Sequence, residues 1–167
     1  WQHWSWKRVK GFFDVTTYLG TGETQSINHN LGVVPELIIS KMRTNNGSAG
    51  QFRRWVVYHK DMGVGHSSGD GAQHFRMYLN TDDDREWDDT NPHWVSAPTA
   101  TQFQVPGSYD LNYTGDYYLT TLYASITGVS KVGSYTTSGT GAVSVNLGFV
   151  PRFIWIKRAE LDQTPWC

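Results

Sequence analysis

Apolar residues in this chain come in short runs or in strict alternation, separated by clusters of Gly, Asn, Asp and Pro. In "GDYYLTTLYASITG", Leu122, Ala124 and Ile126 fall on one face, and Leu119, Thr121 and Tyr123 on the other, the period of a strand. Leu37, Ile38 and Ile39 form a continuous apolar run, which predicts a strand covered on both faces. Phe153, Ile154, Trp155 and Ile156 repeat that run. "RWVVYH", "HFRMYLN" and "QFQV" predict further short strands. No window of about 11 residues or more keeps a helical period. Between the strands, "TNNGSAGQ" and "GVGHSSGDGAQ" have the composition of solvated loops. The pattern predicts an all-β fold, a β-sandwich or jelly-roll-like module.

The pattern is also written twice. Asn30, Leu31, Gly32, Val34, Pro35, Ile38 and Lys41 match Asn146, Leu147, Gly148, Val150, Pro151, Ile154 and Lys157, each at an offset of 116. Upstream, Tyr18 pairs with Tyr135, and Gly20-Thr21-Gly22 with Gly139-Thr140-Gly141. Further back, Gly11 stands opposite Gly128, and Trp6 opposite Tyr123. In each copy a Gly-rich turn joins two strands, and Gly32 or Gly148 supplies the freedom to adopt positive φ in the next turn. Pro35 and Pro151 sit at strand starts, where a missing N–H is tolerated. The expected organisation is the last strand of a preceding repeat in residues 1–10, one complete repeat in 11–128, and the start of another in 129–167. The chain then reads as a segment of a tandem array.

Composition narrows the function classes. Charged residues make up 17% of the 167 and the formal net charge is −1, so there is no electrostatic footprint for nucleic acid or an acidic membrane. No apolar run approaches the roughly 20 residues of a membrane-spanning helix. The opening "WQHWSWKRVK" lacks the apolar core of a secretory signal and an initiator Met, which fits a processed or partial chain. The lone Cys167 cannot form an internal disulfide.

Candidate chemistry is sparse. In "NTDDDREWDDTNPHW", Asp82, Asp84 and Asp88 are weak candidates for Ca²⁺, with Asp83 and Asp89 beside them, but the spacing lacks the Gly and bidentate Glu of an EF-hand loop. A solvated loop is the plainer reading. Trp87 and Trp94, with His93 between them, are the candidate ligand-binding residues, since aromatic faces on loops stack on sugar rings. The competing reading is that these tryptophans pack under the loop. His59, His66, His74 and His93 lie on different elements, and no HExxH, Cys/His zinc pattern, GxSxG elbow or Walker loop occurs. No catalytic residues are assigned and no cofactor is expected. Arg53, Arg54, Lys41 and Arg43 are expected to guard strand edges against pairing with other chains.

The frame "GFFDVTTYLGTG…INHNLGVVPELIISK…WVVYHKDMG" resembles a module of bacteriophage tail and tail-fibre proteins, and the likeness covers nearly the whole chain. The later "NYTGDYYLTTLYASITGVSKVGSY" is similar to that module's final strand and its junction with the next copy. The resemblance implies a structural virion protein, located in the particle, that assembles with other virion proteins and with itself, as a trimer in a fibre. Contact with a host-surface glycan is a further expectation. The rival is a carbohydrate-binding β-sandwich module of a secreted protein. Exposure discriminates the two: a sugar platform needs two or more coplanar, solvent-facing rings, whereas a fibre module needs buried aromatics and a large intersubunit surface.

Overall fold

The protein is described here by a computed structural model covering residues 5, 7–44, 54–90, 92–107, 109–137, 139 and 141–159. Trp6, Arg53, Cys167 and all but the first residue of the "TNNGSAGQ" loop lie outside them. The described chain forms strands β1 (Phe13–Leu19), β2 (Gln25–Asn28), β3 (Leu37–Met42), β4 (Trp55–His59), β5 (Phe75–Tyr78), β6 (Glu86–Trp87), β7 (Gln102–Val105) and β8 (Tyr117–Tyr123). A 3-10 turn (Ala72–His74) precedes β5, and a one-turn helix α1 (Tyr109–Asn112) precedes β8. Six strands form an antiparallel sheet in the order β1-β8-β3-β4-β5-β6, and β2 pairs with β7 in a second antiparallel sheet. The fold is all-β, a β-sandwich.

Register converts the alternation of the sequence into two faces. Asp14, Leu122, Ile38 and Tyr58 stand in one row across β1, β8, β3 and β4. The next row on that face runs Thr16, Thr120, Ser40, Val56 and Tyr78. The small sheet covers this face: Ile27, Phe103 and Val105 are buried, and Tyr18 meets the edge of Phe103 at 6.3 Å between ring centroids. Polar groups at the centre of the large sheet are matched to each other. Ser40 Oγ and Thr120 Oγ1 are 2.8 Å apart, and the Tyr18 hydroxyl donates to the Leu111 carbonyl at 2.7 Å. Such pairing is favoured, because a buried donor or acceptor left unmatched costs about 1–3 kcal/mol; Trp94 Nε1 and Asp110 Oδ1 are buried without a hydrogen-bond partner. On the opposite face Ile39, Val57, Phe75 and Met77 are also buried, so β3 is covered on both sides as its continuous apolar run predicts.

Two carboxylates fasten one end of the β1–β8 ladder, where Phe13 pairs with Tyr123. Asp14, almost fully buried, accepts from Arg8 Nε at 2.5 Å and from the Asn30 backbone N–H at 2.7 Å. This ties the entering chain and the Asn-Leu-Gly turn to β1. Glu36 accepts from Lys60 Nζ and from the Ser125 backbone N–H, each at 2.6 Å, and from the Ser125 hydroxyl. That holds the exit of β8 against the start of β3.

The two ends of the module share a detailed likeness. Val9 N–H donates to Phe13 O, and the N–H groups of Phe12 and Phe13 donate to Val9 O. Ile126, Val129 and Ser130 make the same three bonds, and Gly11 and Gly128 adopt φ of +78° and +76°. Gly32 and Gly148 both have φ +79°, so each Asn-Leu-Gly turn uses the conformation only Gly adopts without strain. After Ser130 the likeness in hydrogen bonding ends. Phe153–Ile156 form no strand, contrary to the sequence expectation. Ile38 is 0% exposed and Ile154 61%; Ile39 is 5% and Trp155 57%. The difference is the ladder: β3 is held between β8 and β4, and among the described residues of 129–159 there is no counterpart of either.

Two further expectations are corrected. Lys41 and Arg54 do not guard an edge, since β3 and β4 are interior strands of the sheet. Lys41 Nζ lies 5.8 Å from the Trp55 ring centroid, and Arg54 is drawn to Tyr78. Pro35 is buried in the turn, two residues before β3 begins at Leu37. The helix α1 has no periodic signature because it is a single turn.

Candidate functional site

Strands β5 and β6 form one border of the large sheet, flanked by the loops 60–74 and 79–94. Alternation along β5 sends Arg76 and Tyr78 to the core-facing side and Phe75 and Met77 to the other. The pairs Phe75–Trp87 and Arg76–Glu86 then put Glu86 on the core-facing side and Trp87 on the opposite one. The border therefore carries two distinct groups of side chains.

The first group is a polar network on the core-facing side. The Tyr78 hydroxyl donates to Asp110 Oδ2 at 3.1 Å, and His93 Nε2 lies 3.2 Å from the same oxygen. Arg54 donates to the Tyr78 hydroxyl at 3.0 Å, with its guanidinium carbon 4.5 Å from the ring centroid. Arg76 lies 3.2 Å from His93 Nδ1 and donates from Nε to Glu86 at 2.5 Å; Asp88 is 3.9 Å from its Nη1. Burial raises the Tyr78 hydroxyl and the Asp110 charge adds to it, against Arg76 and Arg54, so its pKa is pushed up to about 12. Three elements converge here, since Asp110 comes from α1, His93 from the loop before β7, and Tyr78 from β5. Each of these side chains meets a protein partner, although Asp110 Oδ1 has no hydrogen-bond partner, and among the described residues no Ser or Cys side chain joins them. The arrangement cross-links a strand, a helix and a loop.

The second group is exposed. The indole of Trp87, 41% exposed, stacks on His66 with centroids 5.7 Å apart and planes 27° from parallel, and its Nε1 donates to Asp70 at 2.8 Å. His66 in turn meets buried Phe75 edge-on at 4.9 Å. The loop "GVGHSSGDGAQ" is self-satisfied: Ser68 N–H donates to His66 Nδ1 at 3.2 Å, and Asp70 N–H to Ser68 Oγ at 3.2 Å. Gly65 and Gly69, at φ +77° and +73°, provide its bends.

The candidate residues of the sequence thus separate. Trp87 is displayed. Trp94 is not: at 1% exposure it lies between Tyr58 and Phe103, 5.7 and 6.1 Å away, as part of the core. His93, 8% exposed, is inside the polar network and cannot meet a ligand with Trp87. Asp82, Asp84 and Asp88 do not converge either, and among the described residues no three His, Cys, Asp or Glu side chains could hold a metal ion. Asp88 leans toward Arg76, while Lys157 Nζ donates to the backbone carbonyls of Thr81 at 3.0 Å and Asp83 at 3.4 Å. Of the structural-motif positions, Gly32 and Gly148 both adopt φ +79°, while Pro35 lies two residues before β3 and Pro151 precedes no strand among the described residues. Sequence reasoning missed Tyr78, Asp110 and Arg76; Arg76 and Tyr78 are neighbours on one strand face, but Asp110 and His93 each stand 15 or more residues from them and from one another, so no local motif joins the group. His66 and Asp70 carried a signal only as members of a Gly-rich loop.

Among the described residues no helix is long and apolar enough to cross a membrane. Comparison with curated proteins and with solved structures gives no significant match. A family model described as a domain of unknown function (DUF7483) matches residues 4–167, and the chain belongs to that family.

Proposed function

We propose that this chain is a structural segment of a bacteriophage particle, a tail-fibre or tail-associated protein built from successive β-sandwich modules, with a share in host-surface contact. The observation that carries the modular part is the repeated corner. The same three backbone bonds and the same Gly conformation stand at the entrance of β1 and at the exit of β8, 117 residues apart (Gly128 against Gly11). Beyond the second corner, Ile154 and Ile156 stand where Ile38 and Ser40 stand in the first module, yet they belong to a segment that forms no strand and are largely exposed. An exposed apolar segment of that composition gains stability when a neighbouring strand pairs with it. In a string of modules, further sequence of the same kind supplies that strand. The phage assignment itself rests on the motif resemblance. Its partners are then other virion proteins and further copies of itself, its location is the virion, and its role is mechanical and non-catalytic.

The test is to determine the natural polypeptide before Trp1 and after Cys167 by mass spectrometry of purified particles. Flanking copies of the Asn-Leu-Gly-x-Val-Pro motif in a virion protein are the expected result. A free-standing 167-residue polypeptide found outside any particle overturns the proposal. The second reading, a carbohydrate-binding module of a secreted protein, is favoured by the exposed Trp87 and would then take first place.

A further inference from the structure

We infer that Trp87, backed by His66 and fixed through its N–H by Asp70, is a stacking platform for a neutral hexopyranose unit of a surface glycan. The inference rests on the host-contact part of the reading above and names its site and ligand class.

Trp87 is not packed into the core. Its cross-strand partner Phe75 is fully buried, yet Trp87 keeps 41% of its surface open. β6 is the last strand of the sheet, so no described strand lies beyond it to cover the indole. The ring is nevertheless held at three points. Its backbone pairs with β5, one face rests on His66, and Nε1 donates to Asp70. His66 is itself wedged edge-on against Phe75, and its Nδ1 lies 2.8 Å from Ser68 Oγ. An aromatic side chain ordered in advance loses little freedom when a ligand arrives, which lowers the cost of binding.

The ligand class follows from the surrounding chemistry. One face of a hexopyranose carries axial C–H groups and is apolar, and the electron-rich face of an indole attracts it. Asp70 is an exposed carboxylate with about four lone-pair positions, of which the Trp87 indole N–H and Ser68 take two, so it can still accept from sugar hydroxyls beside the ring. That carboxylate, 2.8 Å from the ring nitrogen, repels the anionic group of a uronic, sialic or phosphorylated sugar and leaves neutral ones.

The experiment titrates the whole chain, with its eight tryptophans labelled at the indole nitrogen, with maltohexaose, cellohexaose, chitohexaose and an oligogalacturonate. The expected result is a saturable shift of the Trp87 indole resonance, assigned with Trp87→Phe, by at least one of the three neutral oligosaccharides and not by the oligogalacturonate. Trp87→Ala should weaken that binding about tenfold or more with an unchanged urea midpoint, Trp87→Phe should keep most of it, and His66→Ala should weaken it about threefold. Absence of any Trp87 shift with all three neutral sugars overturns the inference. So does equal affinity in Trp87→Ala, or a preference for the acidic oligomer. Flanking-copy analysis reads on the modular array alone, so either proposal can fail while the other stands.

Discussion

Asp14→Asn is the most informative single change to the fold. The side chain is 3% exposed and joins three segments: the entering chain through Arg8, β1 itself, and the Asn-Leu-Gly turn through Asn30 N–H. Asn has the same shape but half the acceptors and no charge. The hydrogen bond from Asn30 N–H to a buried carboxylate is worth about 1.5–3 kcal/mol, of which a neutral acceptor recovers about 1 kcal/mol. Arg8 is half exposed, so its contribution is screened and adds at most about 1 kcal/mol. The expected loss is about 2 kcal/mol, or roughly 4–8 °C in melting temperature for a chain of this size. The pH dependence supplies an internal check. Burial works to raise the Asp14 pKa, but the bonds from Arg8, Asn30 N–H and Val15 N–H outweigh it and hold the pKa below the ordinary 3.8. A depressed carboxylate stabilises the fold above its unfolded pKa, and that contribution is lost as pH falls through the folded value. Urea melts at neutral pH and in steps down to acid should show the variant weaker at neutral pH and converging on the parent below about pH 3. Equal midpoints at neutral pH, or a gap that does not narrow in acid, would refute the reasoning.

Trp94→Ala should cost about 3–5 kcal/mol and Trp87→Ala less than about 1 kcal/mol, because one indole fills the core and the other stands at an open edge; paired urea melts read the difference. Gly20→Ala should cost at least about 2 kcal/mol, since the added Cβ would overlap the Tyr113 carbonyl oxygen and its backbone cannot yield; thermal melts check it, with Gly65→Ala not sharing that overlap. Burial pushes the hydroxyls of Tyr78 and Tyr118 up to about 12, so ultraviolet titration should show late-ionising tyrosines, with stability falling as pH rises from about 10 toward 12. His29 is held below its ordinary 6.5 by burial, although its bond to the Thr99 carbonyl works the other way. Its contribution is present above pH 6.5 and lost below, so His29→Gln should flatten the stability decline between neutral and mildly acidic pH.

The strands were legible wherever period two or a continuous apolar run was long enough to bury. β8 sends Leu122 and Ala124 to one face and Leu119 and Thr121 to the other, as the alternation requires, and "QFQV" is β7 to the residue. The turns were legible because only Gly fits φ near +79° at positions 32 and 148. What could not be read was adjacency. Lys41 and Arg54 look like edge guards until β8 and β5 are seen to flank their strands. Trp87 and Trp94 stand seven positions apart in one loop region, yet a short edge strand turns the first outward while Tyr58 and Phe103 bury the second. Phe153–Ile156 have the composition of a strand, but a strand is a relation between two segments, and composition specifies only one of them.

The clasps at Asp14 and Glu36 have a mechanical meaning. Phe13, where the chain enters β1, pairs directly with Tyr123, where it leaves β8. Tension drawn through the two ends therefore meets the seven-residue β1–β8 ladder at one end, in the direction that parts its rungs one after another instead of shearing them together. A ladder loaded in that way yields at low force. Arg8–Asp14 lies at the entering side of the first rung, and Glu36–Ser125 just outside the leaving side. They stand ahead of the first rung together with the backbone bonds from Ala124 N–H to Phe12 O and from Gly11 N–H to Leu31 O, so this cluster of short-range contacts at the shared end meets the load first.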